Sequence, residues 1–485
     1  MGTGQGKLPL DVVTDNALRK RKYEQDELEG AQPLMVTTSS VGGIGKAVVG
    51  DQPADLVRRR ASLRAPVLQL IGDSRMRQAY VISTPRAGYN AATIRVSNIS
   101  FVSHFLAISK RRFSRVVWCA RSGRKARDII YGDSGFAIDD LGKSVIAPAA
   151  THVLILFGYN DLFENYTADQ VFAWVSAIAS AAQAEGKEVC VMADMPPITD
   201  GAWIASKQRE MLKYNRKLKV AAAQGLFDVV QTDDFVLDYA VTNAYQAKSG
   251  SYQDLIHPNA STARKIALRL DAYYAAKLPQ TFRSWSSHPI DNIVSDGSNS
   301  NLIANGEFNG TTGWTVGSGG VISSITQTVI DAPDGSGKAL AIDVTTSGAG
   351  NVNLSSCVRT AFTPVVGDSV WASASVWVQG NGGTGNPSGI VTPYLRMDIT
   401  TDSTDDGRHA VMYPTATAGE VAITEGQDLL LETLPYYYTG AELNLSNSVY
   451  LSARFAGAGS ARLIFAHVAA LKNQPIYAPD GWHVI

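Results

Sequence analysis

The sequence predicts two domains of different class, an α/β domain over residues 63–283 and an all-β sandwich over 301–485. Three observations carry this. From Pro66 to about Leu278 apolar runs of strand length alternate with segments of helical period, the pattern of a parallel sheet with helices on both faces. After residue 300 the helical period gives way to short alternating segments rich in Gly, Thr, Ser and Val, the pattern of a β-sandwich. The charge balance turns over at the same place, from 27 Lys and Arg against 21 Asp and Glu over 61–299 to 7 against 15 over 300–485.

Residues 1–62 read as an N-terminal arm, in which only 15–29 (DNALRKRKYEQDELE) is dense enough in helix formers to predict a helix. Buried strands are expected at 67–71, 116–120, 153–157, 189–193 and 227–231. Helices are expected at 168–185, 206–224 and 260–276, the first opened by Thr167 with Gln170 three residues on, which is a capping box. Ser, Asn, Asp and Gly dominate 284–300, a linker composition. Beyond it, 370–378 (VWASASVWV) and 449–455 alternate as strands do.

Composition excludes several classes. The 485 residues are 45% hydrophobic and 18% charged, with a mean hydropathy of −0.04. They hold no apolar run near the ~18 residues of a membrane span. Basic residues are scattered among acids, which argues against nucleic acid as a partner. Cys119, Cys190 and Cys357 are odd in number and lack CxxC spacing, so neither a disulfide framework nor a zinc site is expected; Cys119 and Cys190 read as small buried hydrophobes. Asp133, Asp139 and Asp140 lack the pattern of an oxygen-ligand loop, and no metal or cofactor is expected. The first residues carry no apolar stretch of the secretory-signal kind.

Gly72-Asp73-Ser74 directly follows the strand VLQLI, which places a serine at the carboxyl end of a strand, where a nucleophile is exposed. The triplet recurs at 132–134 and 367–369, so order and spacing must select among the copies. A serine nucleophile needs a base, a group that orients the base, and donors for the oxyanion. Asp254-Leu-Ile-His257 can supply the first two; the same spacing at Asp406/His409 and Asp480/His483 falls in the β half. Gly158-Tyr159-Asn160-Asp161 follows the strand HVLILF and brings an amide donor to the same edge. Gly123 follows VVWCA by a short loop, where a backbone N–H can approach a carbonyl unobstructed. His104 and His152 lack an acidic neighbour in sequence and read as packing residues.

In this order the four blocks resemble those of the SGNH or GDSL-type hydrolases, over about residues 65–280. Arg75 stands where the family name has Leu, and no Asn precedes Gly123. The resemblance implies a flavodoxin-like three-layer α/β/α domain that hydrolyses esters without a metal. Ser74 would be the nucleophile, His257 the base, Asp254 its orienter, and Ser74, Gly123 and Asn160 the oxyanion donors. In the second half, Asn301-Leu-Ile-Ala-Asn-Gly-Glu-Phe308 followed by Gly313-Trp314 resembles the opening of carbohydrate-binding-module-like jelly rolls. That implies sugar stacking on exposed aromatics, with Tyr436, Tyr437, Tyr438 and Trp482 as candidates; Trp314, Trp371 and Trp377 are assigned to core packing, and a structural or oligomerising role for the domain stays open.

Together these features point to a serine esterase acting on acylated, most simply O-acetylated, polysaccharide outside the cell. A bacteriophage tail or fibre enzyme, with residues 1–62 attaching it to other virion tail proteins, fits an extracellular or virion-associated location. A lipase-like carboxylesterase and a non-catalytic glycan-binding adhesin are the alternatives, and homo-oligomerisation is left open.

Overall fold

The computed structural model describes residues 66–77, 81–85, 92–113, 115–132, 146–198, 203–241, 245–280, 303, 305–356, 365–401, 405–413, 421–437 and 448–472. The expected arm, its helix at 15–29, the linker, Asp133, Asp139, Asp140, Cys357, Tyr438 and Trp482 lie outside the described residues.

The first half begins with β1 (Val67–Gly72), the one-turn α1 (Ser74–Arg77), the hairpin strands β2 (Val81–Pro85) and β3 (Ala92–Ser97), and α2 (Phe101–Ser109). It continues with β4 (Arg115–Ala120), α3 (Ala126–Tyr131), β5 (His152–Leu156), α4 (Tyr159–Phe163) and α5 (Ala168–Ala184). It closes with β6 (Glu188–Met192), α6 (Ala205–Ala223), β7 (Asp228–Val230) and α7 (Ala260–Ala275). Strands β4-β1-β5-β6-β7 form a five-stranded sheet in that order, and every pair is parallel. All five strands of this sheet, and α5, α6 and α7, lie where the apolar pattern puts them. The Thr167/Gln170 capping box opens α5, with the Thr167 side chain accepting from the Gln170 amide.

Chain order reverses between β1 and β5, because β4 lies on one side of β1 and β5 to β7 on the other. A crevice therefore opens beyond the carboxyl ends of these two neighbours. The strands meet closely there: a Cβ on Gly72 would lie 2.9 Å from the Leu156 carbonyl oxygen.

The second half is all β, with strands β8 (Trp314–Asp331), β9 (Lys338–Ser356), β10 (Ser369–Gln379), β11 (Tyr394–Thr401) and β12 (Asp405–Tyr413). They are followed by β13 (Gln427–Glu432), β14 (Tyr436–Tyr437), β15 (Ser448–Phe455) and β16 (Gly459–Lys472). Their hydrogen bonds form one continuous curled mixed sheet of eleven strands. Two of the eleven come from the first half: β3 runs parallel to β12 with Ile94 opposite His409, and β2 pairs antiparallel with β3. A hairpin inserted after α1 thus extends the sheet of the second domain.

One hydrophobic core crosses both halves, containing Leu68, Phe101 and Ile266 together with Leu340, Leu431 and Phe465. Helix α2 explains the continuity. It packs on α7 and on β13, so it is buried on more than one side, and its sequence FVSHFLAIS is apolar around most of its circumference. Trp371 and Trp377 are buried, and Trp314 stacks on Phe308 at 4.9 Å while its indole N–H donates to the Asn305 carbonyl at 2.8 Å.

Candidate active site

Ser74 sits where β1 ends in the tight Gly72–Asp73 turn. Asp73 Oδ1 accepts the Arg75 amide at 2.9 Å and the Asp73 carbonyl accepts the Arg77 amide at 3.1 Å, closing the turn around the serine. Its hydroxyl faces a loop 183 residues away in sequence: His257 Nε2 lies 3.0 Å from Ser74 Oγ. His257 Nδ1 lies 2.7 Å from Asp254 Oδ2. Asp254 Oδ1 accepts the amides of Ile256 at 2.8 Å and His257 at 2.7 Å. Burial works against the Asp254 charge, yet these amides and the imidazole outweigh it and hold the carboxyl below the usual carboxylate range. An ionised Asp254 fixes the tautomer that leaves Nε2 free to accept the serine proton. The loop is closed at its base by the Asn259 amide on the Ser251 carbonyl at 3.1 Å, and Asn259 caps α7 through the Thr262 amide at 3.0 Å.

The loop that carries Gly123 is tied both to Asn160 and to the end of β1. The Arg121 amide donates to the Gly72 carbonyl at 3.0 Å, hanging the Gly123 loop on the end of β1. Gly123 is exposed and has φ 74°, a left-handed conformation that glycine accepts without strain. Asn160 Nδ2 donates to the Arg124 carbonyl at 3.0 Å. An amide nitrogen carries two hydrogens, so this bond orients the group and leaves the second hydrogen for a ligand. Asp161, buried, accepts the amides of Ala126 at 3.1 Å and Arg127 at 3.2 Å. Burial pushes its carboxyl up to about 7, against these two amides. The Gly-Tyr-Asn-Asp block thus acts on the Gly123 loop as well as offering an amide.

Arg75 departs from the family pattern, and no motif in the sequence marks Asp194. Both are buried. Arg75 Nη2 pairs with Asp73 at 2.9 Å and Nη1 with Asp194 at 2.5 Å; Nη1 also donates to the Met195 carbonyl at 2.9 Å, and the guanidinium lies 5.2 Å from the Tyr159 ring centre. Burial opposes the Arg75 charge and the two carboxylates more than offset it. For Asp194 burial prevails over the pairing and holds the carboxyl above its usual range. The only signal in sequence was the odd residue beside the serine.

The remaining candidates divide. Tyr436 is half-buried against the core of the β domain instead of forming an exposed platform, because β14 is tied to β10 at Val370 and Ser369. Tyr437 is in the same short strand, and Tyr438 and Trp482 are outside the described residues. His104 is buried with Nε2 2.7 Å from the Asn98 carbonyl oxygen, and His152 is buried with Nδ1 2.8 Å from Thr151 Oγ1. Cys190 is buried and Cys119 half-buried. Among the described residues no group of three His, Cys, Asp or Glu is placed to hold a metal.

No family model matches the chain, and no curated protein matches it in sequence. Solved structures do. The chain is similar to a member of the lipolytic protein G-D-S-L family from Veillonella parvula, at 14% identity and a TM-score of 0.29, over 44% of this chain and 99% of that one. It is also similar to a GDSL-like lipase from Bacteroides thetaiotaomicron, at 15% and 0.31, over 46% and 95%. A catalytic mutant of an acetylxylan esterase from Geobacillus stearothermophilus gives 18% and 0.31, over 45% and 97%.

Proposed function

We propose that this chain is a serine esterase that removes acyl groups, most simply O-acetyl, from a polysaccharide. One observation carries the proposal: the Ser74 Oγ, His257 Nε2 and Nδ1, and Asp254 Oδ2 line up at 3.0 and 2.7 Å from segments far apart in the chain. In the reaction His257 takes the Ser74 proton as Oγ bonds to the ester carbonyl carbon. The oxyanion is held by backbone N–H groups at Ser74 and Gly123 and by the Asn160 amide. His257 then returns the proton to the leaving alcohol, and water repeats the sequence on the acyl-enzyme to release the acid and restore Ser74.

A polar face of the β domain supports a glycan as the acyl carrier. Strands β9, β15 and β11 are adjacent and place Asn353, Ser452 and Tyr394 in one cross-strand row and Tyr450 and Arg396 in the next. These residues line a recess, with the Arg396 guanidinium 4.3 Å from the Tyr450 ring centre and Ser452 donating to Asn353 Oδ1 at 2.6 Å. Aromatic rings set among amides and hydroxyls are what sugar rings and their hydroxyls require. An extracellular or virion-associated setting, with residues 1–62 as the attachment arm, completes the reading; mass spectrometry of purified particles that lack the protein would remove the virion part of it.

The test compares acetate release from 4-nitrophenyl acetate and from an O-acetylated bacterial polysaccharide by the wild type, Ser74→Ala and His257→Ala. Turnover should fall by roughly 10⁴-fold or more in both variants, with the polysaccharide preferred by the wild type. Equal turnover by Ser74→Ala would sink the proposal.

A further inference from the structure

Ser74 opens α1 and His257 lies in the loop before α7, and their 3.0 Å contact requires something to hold the two in register. The segment that follows β6, Asp194-Met195-Pro196-Pro197-Ile198, runs between them and is pinned along its length. On the nucleophile side, Arg75 reaches it twice, pairing with Asp194 at 2.5 Å and donating to the Met195 carbonyl at 2.9 Å. On the histidine side, the Tyr252 hydroxyl donates to the Pro196 carbonyl at 2.6 Å and the Ile198 amide to the Leu255 carbonyl at 2.8 Å. Tyr252 and Leu255 flank Asp254. The base of the segment is set by Asn215, whose side chain accepts the Asp194 amide at 2.8 Å and donates to the Asp194 carbonyl at 2.7 Å. Two consecutive prolines fix φ at the centre of the segment. The segment is thus restrained at its centre and held at both ends.

The packing leaves little room for Arg75 to be replaced by another arrangement. A Cβ on Gly158 would lie 2.4 Å from Asp194 Oδ2 and 2.9 Å from the Tyr214 ring, so Gly158 crowds the Asp194 oxygen that Arg75 does not pair with. Arg75 is adjacent in sequence to Ser74, and its amide and its guanidinium both bond the Asp73 carboxylate in the same turn, each at 2.9 Å.

We infer that Arg75 is a positioning residue for the Ser74–His257 pair, acting through the Asp194–Ile198 segment on the Tyr252–His257 loop. This rests on the serine-esterase reading. Arg75 touches no reacting atom; its fork holds Asp73, Asp194 and Met195 together, and the strap it grips carries the loop of the base. Reacting groups misplaced by about 1 Å can lose on the order of 100-fold in rate, and the effect should fall on the chemical step.

The test uses the full chain with 4-nitrophenyl acetate and a fluorophosphonate probe that labels an activated serine. Arg75→Lys keeps the buried positive charge but cannot span the three acceptors. Its kcat should fall by roughly 30- to 100-fold with KM within about 3-fold of wild type, and labelling of Ser74 should slow in the same proportion. Tyr252→Phe removes only the bond to Pro196 and should lower kcat by about 3- to 10-fold. If both act through one strap, the double variant loses less than the product of the two. An Arg75→Lys protein with a lower melting temperature but kcat within about 2-fold of wild type would overturn the inference, since a purely structural role predicts that result. Should Arg75→Lys fail to fold, Tyr252→Phe decides alone, and unchanged kcat there overturns it. A wild type that neither turns over esters nor takes up the probe refutes the esterase reading itself, a result distinct from either.

Discussion

Gly158 shows how narrowly a single position can be constrained beside the site. Its φ of 148° lies where L side chains rarely go, and an added Cβ would meet the Asp194 carboxylate and the Tyr214 ring. Gly158→Ala should therefore destabilise the protein by at least ~2 kcal/mol through strain and overpacking, read as a lower denaturation midpoint with an unchanged denaturant slope. Wild-type stability would mean that the loop relaxes and that Asp194 is less confined than its neighbours suggest. The Asp254 carboxylate shows the opposite kind of control. It is partly exposed, yet two backbone amides and an imidazole keep it ionised, so the histidine's orientation does not depend on a dry pocket.

Helix α2 joins the two domains, and its one titratable ring is neutral for a physical reason. Burial lowers the His104 pKa from 6.5 to about 4, only partly opposed by the bond to the Asn98 carbonyl. The unfolded chain takes up a proton near pH 6.5 while the folded one does not until about pH 4. The stability that His104 contributes is thus complete above pH 6.5 and is lost as pH falls toward 4, by about 3 kcal/mol. His104→Gln keeps a donor for Asn98 and should flatten the fall in melting temperature between pH 7 and 4; an unchanged acid limb in the variant would place the loss elsewhere. In the β domain the row at Tyr450 and Arg396 makes a separate prediction. Tyr450→Ala should weaken binding of the polysaccharide by about 10-fold or more while turnover of 4-nitrophenyl acetate stays at the wild-type level, and equal polysaccharide binding would remove the recess from the glycan reading.

At the scale of the whole molecule the two halves share both core and sheet. The core runs through both, β2 and β3 extend the second sheet, and two left-handed residues after α2 turn basic side chains into it. Arg111 pairs with Glu432 at 2.5 Å with both side chains largely buried, and its guanidinium lies 5.5 Å from the Trp371 ring centre. Lys110 pairs with Asp428 and sits 5.3 Å from the Trp377 ring centre. Apolar packing shared across both halves couples their unfolding, so calorimetry should show one transition. Glu432→Ala, which removes a partner from a poorly hydrated guanidinium, should lower the stability of that single transition by about 1–3 kcal/mol. Two resolved transitions, with only one moved by the variant, would show that the halves are energetically separate.

What the sequence by itself determined is everything that depends on local period and order. Buried parallel strands read as short apolar runs, Thr167 and Gln170 mark the start of α5, and the blocks with Ser74, Gly123, Asn160 and Asp254/His257 each follow a strand or precede the last helix of the α/β half. The Ser74–His257 contact was legible as an expectation because a serine after a buried strand and an Asp-x-x-His block before a helix are local marks. Tertiary structure alone decided where partners come from far away. The β2–β3 hairpin carries no local mark of the sheet it joins, since a strand's pairing is set by which edge is within reach. Helix α2 is too apolar on all sides for period to reveal it, and Tyr436 looked like an exposed ring until β10 took its strand. Arg75 was visible only as the wrong letter beside a serine. Its meaning required Asp194 and Met195, 119 and 120 positions on, to arrive at its guanidinium, because a buried charge is explained only by the groups that surround it.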